Sequence, residues 1–308
     1  VMVENRPLDL RVATLPVVHG EQATLRLLDP QQATVPLEQL GMSEVNLKRY
    51  MEGISRPHGC CFITGPTGSG KSTTLYSSLS RVTTDEKKTM TLEDPVEYRF
   101  DDISQTDVSG GARGSDDSGR LTFAKVLKSV LRSDPDTIMV GEIRDTETAK
   151  IAIDAALTGH FLYSTLHTND ALSTVTRLER IGVERFLIAA ATEVIVAQRL
   201  IRKLCVCKQQ TKLDQNFLDS VKLPHEILKK IEDSDKMGQP VYRPNPVGCA
   251  ACGGIGYKGR TGVHEVIIIT EELRAAIEAG ATLEEMEVIA RGAGMGSLLD
   301  DAFERVFA

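Results

Sequence analysis

Short apolar runs alternate with segments of helical periodicity over most of the chain. The predicted strands are residues 60–64, 89–92, 137–141 and 161–166. The predicted helices are residues 73–79, 123–132, 146–157 and 171–181. Runs of four to six apolar residues are typical of buried strands, and apolar positions three and four apart are typical of helices. The alternation predicts an α/β fold with a parallel sheet and helices on both of its faces.

The two ends of the chain depart from this pattern. Residues 1–40 alternate apolar and polar positions with a period of two, which predicts strands. Two or three strands alone bury too little surface to form a core, so we expect this segment to end a domain that begins upstream in a longer protein. From residue 256 onward the periodicity predicts helices at 271–279 and 283–291. Residues 109–119, rich in Gly, Ser and Asp, predict a flexible loop.

Charge and hydropathy narrow the possible functions. The 36 basic and 43 acidic residues give a net charge of −7, whereas proteins that bind nucleic-acid backbones usually carry a basic excess. We expect the local basic group of Arg199, Arg202 and Lys203 at a solvated helix end. The longest apolar runs are far too short for a membrane span, and residues 1–10 hold no signal-peptide core. A cytoplasmic protein is expected.

Residues 65–72 carry the most specific motif, G-x-x-x-x-G-K-[ST]. A predicted strand precedes it and a predicted helix follows it, so that loop amides and a helix N-terminus converge on one anion. In such a loop Lys71 reaches the β and γ phosphates, and Ser72 holds Mg²⁺. The predicted ATP-binding residues are Gly65, Pro66, Thr67, Gly68, Ser69, Gly70, Lys71, Ser72 and Thr73.

Three further strand ends carry candidate catalytic groups. Glu142 ends the strand at 137–141 and is a candidate for the metal, or alternatively a surface residue that caps the next helix. Glu93, supported by Asp94 and followed by Pro95, is a candidate for activating water, or part of an ordinary acidic turn. His167 follows the strand at 161–166 and is a candidate phosphate sensor or a structural residue. Ligands of open α/β sheets bind at this end of the strands.

Together these segments resemble the secretion ATPases of type II secretion and type IV pilus assembly, the GspE/PilB family. The matching segments are the P-loop, the acidic box 91–98, the Walker B run 134–145, the His box 158–169 and the shorter runs 198–200 and 256–262. The resemblance implies a RecA-like P-loop NTPase core with a partial N-terminal α+β domain, a small zinc-binding module and a C-terminal helical segment.

The resemblance also implies boundaries and residue roles. The parts are a C-terminal remnant of a PAS-like domain at 1–40, the ATPase domain at 41–203, a tetracysteine metal-binding module at 204–255 and a C-terminal helical subdomain at 256–308. Glu93 takes the place of the catalytic glutamate, Glu142 that of the Walker B glutamate and His167 that of the His-box histidine. Arg11 and Arg26 match the arginines that close over the nucleotide.

Four cysteines match the zinc module of the family's assembly ATPases, with one departure. Cys249 and Cys252 form a C-x-x-C pair, whereas Cys205 and Cys207 form the shorter C-x-C. Four thiolates favour a closed tetrahedral zinc site, and four reduced thiols are the alternative. Cys60 and Cys61 lie in a predicted strand, where we expect small core residues.

The function expected from this resemblance is ATP hydrolysis by a homo-hexamer that powers pseudopilus or type IV pilus assembly. It would use ATP, Mg²⁺ and structural Zn²⁺. It would work peripherally at the inner membrane with a platform protein and a cytoplasmic adaptor, and without nucleic acid. Two alternatives are a RecA-type nucleic-acid translocase, which shares the fold, and a nucleotide-binding scaffold without turnover.

Overall fold

A computed structural model of the protein describes residues 2–3, 6–28, 35–109, 121–221, 223, 225–234 and 236–307. The strands are β1 (Met2–Val3), β2 (Arg6–Pro7), β3 (Asp9–Val17), β4 (Gly20–Leu28), β5 (Gly59–Thr64), β6 (Thr89–Glu93), β7 (Ser104–Asp107), β8 (Thr137–Val140), β9 (Phe161–Leu166), β10 (Thr192–Leu204), β11 (Gln209–Lys212), β12 (Pro240–Arg243) and β13 (Tyr257–Ile268). The helices are α1 (Glu44–Ile54), α2 (Lys71–Val82), α3 (Phe123–Val130), α4 (Thr146–Leu157), α5 (Ser173–Ile181), α6 (Arg185–Ala191), α7 (Gln215–Ser220), α8 (His225–Glu232), α9 (Glu271–Glu278), α10 (Leu283–Gly292) and α11 (Leu298–Glu304).

A seven-stranded sheet forms the centre of the molecule, in the order β13-β10-β5-β9-β8-β6-β7. Neighbouring strands are parallel except β10 and β13, which pair antiparallel. Every residue of β5, β8 and β9 is buried, because a parallel sheet with helices on both faces has no solvated side. The predicted α/β class is confirmed.

Alternate residues of β5 point into two separate cores. Cys60 and Phe62 pack in the larger one, against residues of α3 to α6, α9 and α10. Cys61 and Ile63 pack in the other, with Tyr50 of α1 and residues of α2. Both cysteines are fully buried, as expected of small core residues. Helices therefore cover both faces of the sheet, as the alternation of strands and helices predicts.

The N-terminal strands pair as a hairpin. β3 and β4 are antiparallel, with Arg11 directly opposite Arg26, and the strand prediction for this region is confirmed. The described side chains from residue 11 to residue 27 are exposed. The predicted loop at 109–119 lies outside the described residues, apart from Ser109.

The C-terminal half differs from the sequence prediction at two strands, β10 and β13. Arg199, Arg202 and Lys203 lie on strand β10, so that their expected position at a helix end is wrong. The β-branched residues of this run favour an extended chain, and β13, which the periodicity did not identify, supplies its antiparallel partner. The domain boundaries predicted at residues 204 and 256 remain predictions. β11 and β12 pair as a separate two-stranded antiparallel sheet, whose Val241 shares a small core with Leu213 and Ile231.

No helix in the described ranges is both long enough and apolar enough to span a bilayer.

Candidate functional site

The motif at 65–72 comprises the loop 65–70, which connects β5 to α2, and the first two residues of α2. Gly65, Gly68 and Gly70 have φ angles of +147°, +78° and +89°, in the left-handed region that favours glycine. The amide of Ser69 donates to the carbonyl of Pro66 at 3.2 Å. Because α2 begins at Lys71, the free amides of its first turn lie next to this curved loop, as in an anion-binding helix N-terminus.

Gln198 of β10 fixes the loop from behind and was not predicted to have a role. Its side-chain amide nitrogen donates to the Ser69 carbonyl at 2.7 Å, and its amide oxygen accepts from the Thr74 hydroxyl at 2.8 Å. Gln198 is only 2% exposed. One buried amide therefore links the loop, the first turns of α2 and the neighbouring strand. Its sequence signals are a polar residue within an apolar run and a place in the matching segment 198–200.

Lys71 folds back over the loop. Its Nζ donates to the carbonyls of Gly65 at 2.8 Å and Pro66 at 3.2 Å. Burial lowers the pKa of Lys71, while the Glu142 carboxylate acts in the opposite direction. The ammonium group thus lies at the mouth of the loop, where an anion could replace its carbonyl partners.

A cavity of about 380 Å³ opens beside the loop, at the carboxyl ends of the parallel strands. Four strand ends meet there because β5, β6, β8 and β9 run in the same direction. Residues from the P-loop, the three other strand ends and the hairpin line it: Arg26, Lys71, Ser72, Glu93, Glu142 and His167. The sequence predicted each of these six for the site. Arg11, across the hairpin from Arg26, is not among the described residues of the cavity wall.

Glu93 is a buried carboxylate, 4% exposed, held by three neutral donors. Thr91 donates its hydroxyl at 2.5 Å, Gln105 donates its amide at 3.1 Å, and the hydroxyl of Tyr76 also donates. Burial and the adjacent Glu93 carboxylate raise the pKa of Tyr76, which keeps its hydroxyl protonated. Sequence reasoning missed these partners, because α2 and β7 bring Tyr76 and Gln105 to Glu93 only in the folded chain.

Glu142 lies between a cation and an imidazole. The Arg144 guanidinium forms an ion pair with it, and Nε2 of His167 is 3.9 Å from its Oε2. Burial, followed by the charge of Lys71, lowers the pKa of His167. The imidazole is therefore neutral near pH 7 and able to donate one hydrogen bond. Sequence reasoning gave Arg144 no role, since a single arginine next to a strand is usually a surface charge.

The four cysteines of the second candidate site lie together. Their Sγ atoms are all within 4.8 Å of one another. Three of the separations are 3.7, 3.9 and 4.0 Å, and a tetrahedral site with Zn–S bonds of 2.3 Å needs about 3.8 Å. The start of β13 brings the pairs together, because the Cys205 amide donates to the Gly256 carbonyl at 3.0 Å. The C-x-C spacing therefore fits a tetrahedral set of thiolates.

Backbone amides favour the thiolate form at one of these positions. The amides of Cys249 and Gly256 donate to Sγ of Cys252 at 3.1 and 3.2 Å. These hydrogen bonds, the one from Cys249 first, lower the pKa of Cys252 to about 6, whereas desolvation and the neighbouring sulfurs raise the pKa of Cys207 to about 12. Zinc ligands must be deprotonated, so that the surroundings of Cys252 suit a metal ligand and Cys207 would lose its proton on binding one.

Comparison with known proteins connects the chain to a family. The profile of the family described as "Type II/IV secretion system protein" matches residues 1–307. The type IV pilus assembly ATPase PilB of Thermus thermophilus is 47% identical over 294 residues, which are 95% of this chain and 31% of that protein. Type II secretion system protein E of Pectobacterium carotovorum subsp. carotovorum is 46% identical over 277 residues, 89% of this chain and 51% of that protein.

Among solved structures, the pilus retraction motor PilT with bound ADP superposes with a TM-score of 0.61 and 26% identity, covering 96% of this chain and 73% of that one. The fold is therefore the RecA-like P-loop fold. The chain spans about a third to a half of the length of the two curated relatives.

Proposed function

The chain belongs to the type II/IV secretion system protein family, and we propose that it is the ATP-hydrolysing part of a motor for pseudopilus or type IV pilus assembly. One observation carries the proposal: a single cavity collects the P-loop, the carboxylates of Glu93 and Glu142, and the His167 imidazole. Phosphoryl transfer needs these groups in one place, because it depends on positioning and on charge stabilisation.

The residues have distinct proposed roles toward ATP. The loop 65–73 binds the phosphate chain through its backbone N–H groups, which Pro66 alone lacks, and Lys71 exchanges its two loop carbonyls for phosphate oxygens. Glu93 accepts a proton from the attacking water, and its three donors hold the carboxylate in one orientation. His167, neutral near pH 7, donates to the γ-phosphate. Arg26, and Arg11 across the hairpin from it, close over the nucleotide.

The donor sets fit two metals. The Ser72 hydroxyl and the Glu142 carboxylate are hard oxygen ligands of the kind that Mg²⁺ prefers. Mg²⁺, when bound, neutralises charge that develops on the phosphate oxygens. The set Cys205, Cys207, Cys249 and Cys252 offers four sulfurs with tetrahedral spacing, which suits structural Zn²⁺. With four protein ligands, that zinc would have no open position for catalysis.

The larger assembly is also a proposal. Relatives of this chain are named for type II secretion and for type IV pilus assembly, and the second is named an ATPase. We propose that the protein acts as a homo-hexamer at the cytoplasmic face of the inner membrane, with a membrane platform protein and a cytoplasmic adaptor. The proposal retains the domain boundaries predicted after residues 40, 203 and 255.

Glu93→Gln tests the catalytic assignment. We expect ATP turnover to fall by about a hundredfold or more, because the amide cannot accept the water proton, while nucleotide affinity stays within about threefold, because Glu93 is not a P-loop ligand. Glu86→Gln, an exposed residue that precedes β6, is the matched control and should turn over ATP normally. Equal turnover by Glu93→Gln and the unmodified protein would support a nucleotide-binding scaffold instead.

A second measurement addresses the nucleic-acid alternative. ATP turnover should be the same with and without single- or double-stranded DNA, because the chain is acidic overall and DNA-dependent motors need a basic track. A severalfold stimulation by DNA would favour the translocase.

A further inference from the structure

Glu265 is a buried carboxylate outside the cavity of the candidate site. It lies on β13, directly opposite Ala197 of β10, and is 7% exposed. Burial raises the pKa of Glu265, and the hydrogen bond from the Ala171 amide opposes that effect. No basic side chain among the described residues forms an ion pair with it. Burying a carboxylate without an ion-pair partner costs free energy of folding. Its two hydrogen-bond partners therefore indicate why the residue is there.

The two oxygens of Glu265 bind different parts of the chain. Oε1 accepts from the amide of Ala171 at 2.9 Å, and Oε2 accepts from the amide of Leu298 at 3.3 Å. Ala171 follows the loop that carries His167, and Leu298 is the first residue of α11. Hydrogen bonds to a charged acceptor are roughly twice as strong as neutral ones, so that the carboxylate is the polar link between these two segments.

The loop that Glu265 binds, residues 167–171, lies next to the P-loop at the carboxyl ends of the strands. Thr168 donates its amide to the Thr64 hydroxyl at 2.9 Å, and Thr64 is the last residue of β5, before the P-loop. Asp170 accepts from the amide and the hydroxyl of Ser173 at 2.8 and 2.7 Å. The five residues 167–171 are thus held at Thr64, at α5 and at Glu265.

The helix end of the link is equally well fixed. Asp301 of α11 accepts from the His264 amide at 3.0 Å and from the Asn46 side chain at 3.2 Å. The same Asn46 donates to the His264 carbonyl at 3.0 Å. Helix α11 is therefore attached to β13 and α1 on one side and, through Glu265, to the His167 loop on the other.

We infer that Glu265 is a positioning residue that couples the loop carrying His167 to helix α11. A nucleotide that orders the loop would also order α11 through this carboxylate, and a partner that moves α11 would change the position of His167. The inference rests on the proposed ATPase function and adds a route by which the C-terminal segment controls it. Glu265 contacts no nucleotide itself.

Kinetics of Glu265→Gln provide the first test. The amide has one acceptor and one donor, so it faces two N–H donors and must lose one hydrogen bond. We expect kcat for ATP to fall about tenfold with KM nearly unchanged. Glu287→Gln is the control, because Glu287 lines the same small cavity as Glu265 but is exposed and pairs with Arg291. It should behave as the unmodified protein does.

A double-mutant cycle separates positioning from general destabilisation. If Glu265 acts through His167, then adding Glu265→Gln to His167→Ala should reduce kcat less than twofold further. If the losses in kcat of the two single variants multiply in the double variant, the inference is wrong. Thermal unfolding accompanies each variant. If Glu265→Gln does not fold, Glu265→Asp takes its place, since it keeps the charge but is one methylene too short to reach both amides.

Hydrogen exchange tests the coupling directly. It also distinguishes a failure of the coupling from a failure of the proposed function. With a non-hydrolysable ATP analogue and Mg²⁺, exchange should slow in residues 65–72, in 168–172 and in α11. In Glu265→Gln it should slow in the first two segments only. If α11 of the unmodified protein does not respond, or responds equally in the variant, the coupling is wrong and the ATP site stands. No protection at 65–72 would overturn both.

Discussion

Replacing Gly65 by alanine should damage the P-loop far more than the same change at Gly68. Gly65 has a φ of +147°, and a Cβ built there would lie 2.5 Å from the Gln198 carbonyl oxygen and 2.6 Å from Oγ of Ser69. The Ser69 hydroxyl can rotate away. The Gln198 carbonyl cannot, because it belongs to strand β10 of the central sheet.

The structure gives a magnitude for each change. A non-glycine residue in a glycine-only region costs about 1–3 kcal/mol, and overpacking adds about 1–3 kcal/mol, so that Gly65→Ala should cost about 2–6 kcal/mol. Gly68, with a φ of +78°, has no heavy atom within 4 Å of such a Cβ. Gly68→Ala should therefore cost only the left-handed backbone strain of about 1–2 kcal/mol.

Thermal unfolding without nucleotide is the assay, because the absence of ligand keeps phosphate contacts out of the comparison. At about 2 °C per kcal/mol for a chain of this size, Gly65→Ala should lower Tm by about 4–12 °C and Gly68→Ala by about 2–4 °C. A fluorescent ATP analogue should also bind more weakly to the Gly65 variant. Equal Tm shifts would refute the reasoning, since they would mean that the Gln198 carbonyl does not restrict the loop.

Three further predictions concern other parts of the molecule. Tyr76→Phe removes one donor from Glu93 while keeping the buried ring, so ATP turnover should fall about tenfold with unchanged nucleotide affinity; normal turnover would mean that this hydrogen bond does not position the carboxylate. Burial lowers the pKa of His264 to about 4, so the unfolded chain takes up a proton there that the folded protein excludes. This histidine should therefore reduce stability by about 2 kcal/mol between pH 7 and pH 5, and in urea unfolding His264→Gln should show an acid-side loss smaller by that amount. Metal analysis of the purified protein should find about one zinc per chain. Cys207→Ser should lose that zinc and have a lower Tm than the unmodified protein. If the unmodified protein contains no zinc and the variant has the same Tm, the four cysteines are reduced thiols instead.

Local sequence predicted most of the candidate site. The residues of the P-loop motif are adjacent in the chain, and a strand before and a helix after it suffice to form it. Glu93, Glu142 and His167 could be predicted as candidates because each lies at or just after the end of a short run with the length and composition of a strand. Parallel strands then bring their carboxyl ends to one edge, whatever their order in the sheet.

The supporting contacts could not be predicted, because they depend on the order of strands and the packing of helices. Gln198 reaches the P-loop only because β10 is the neighbour of β5, and Tyr76 reaches Glu93 only because α2 lies over the end of β6. The pattern near residue 200 was misinterpreted for the same reason: its extended form needs β13 as a partner, more than fifty residues later in the chain.

Sequence alone thus predicted which residues could carry the proposed chemistry, since phosphate-binding and acidic motifs are short and their chemistry depends on residue type. Tertiary structure decided how these residues are held. The donors to Glu93, the clamp on the P-loop and the link through Glu265 all join segments that are far apart in the chain. Such contacts arise from burial in a common core, and no spacing along the sequence specifies them.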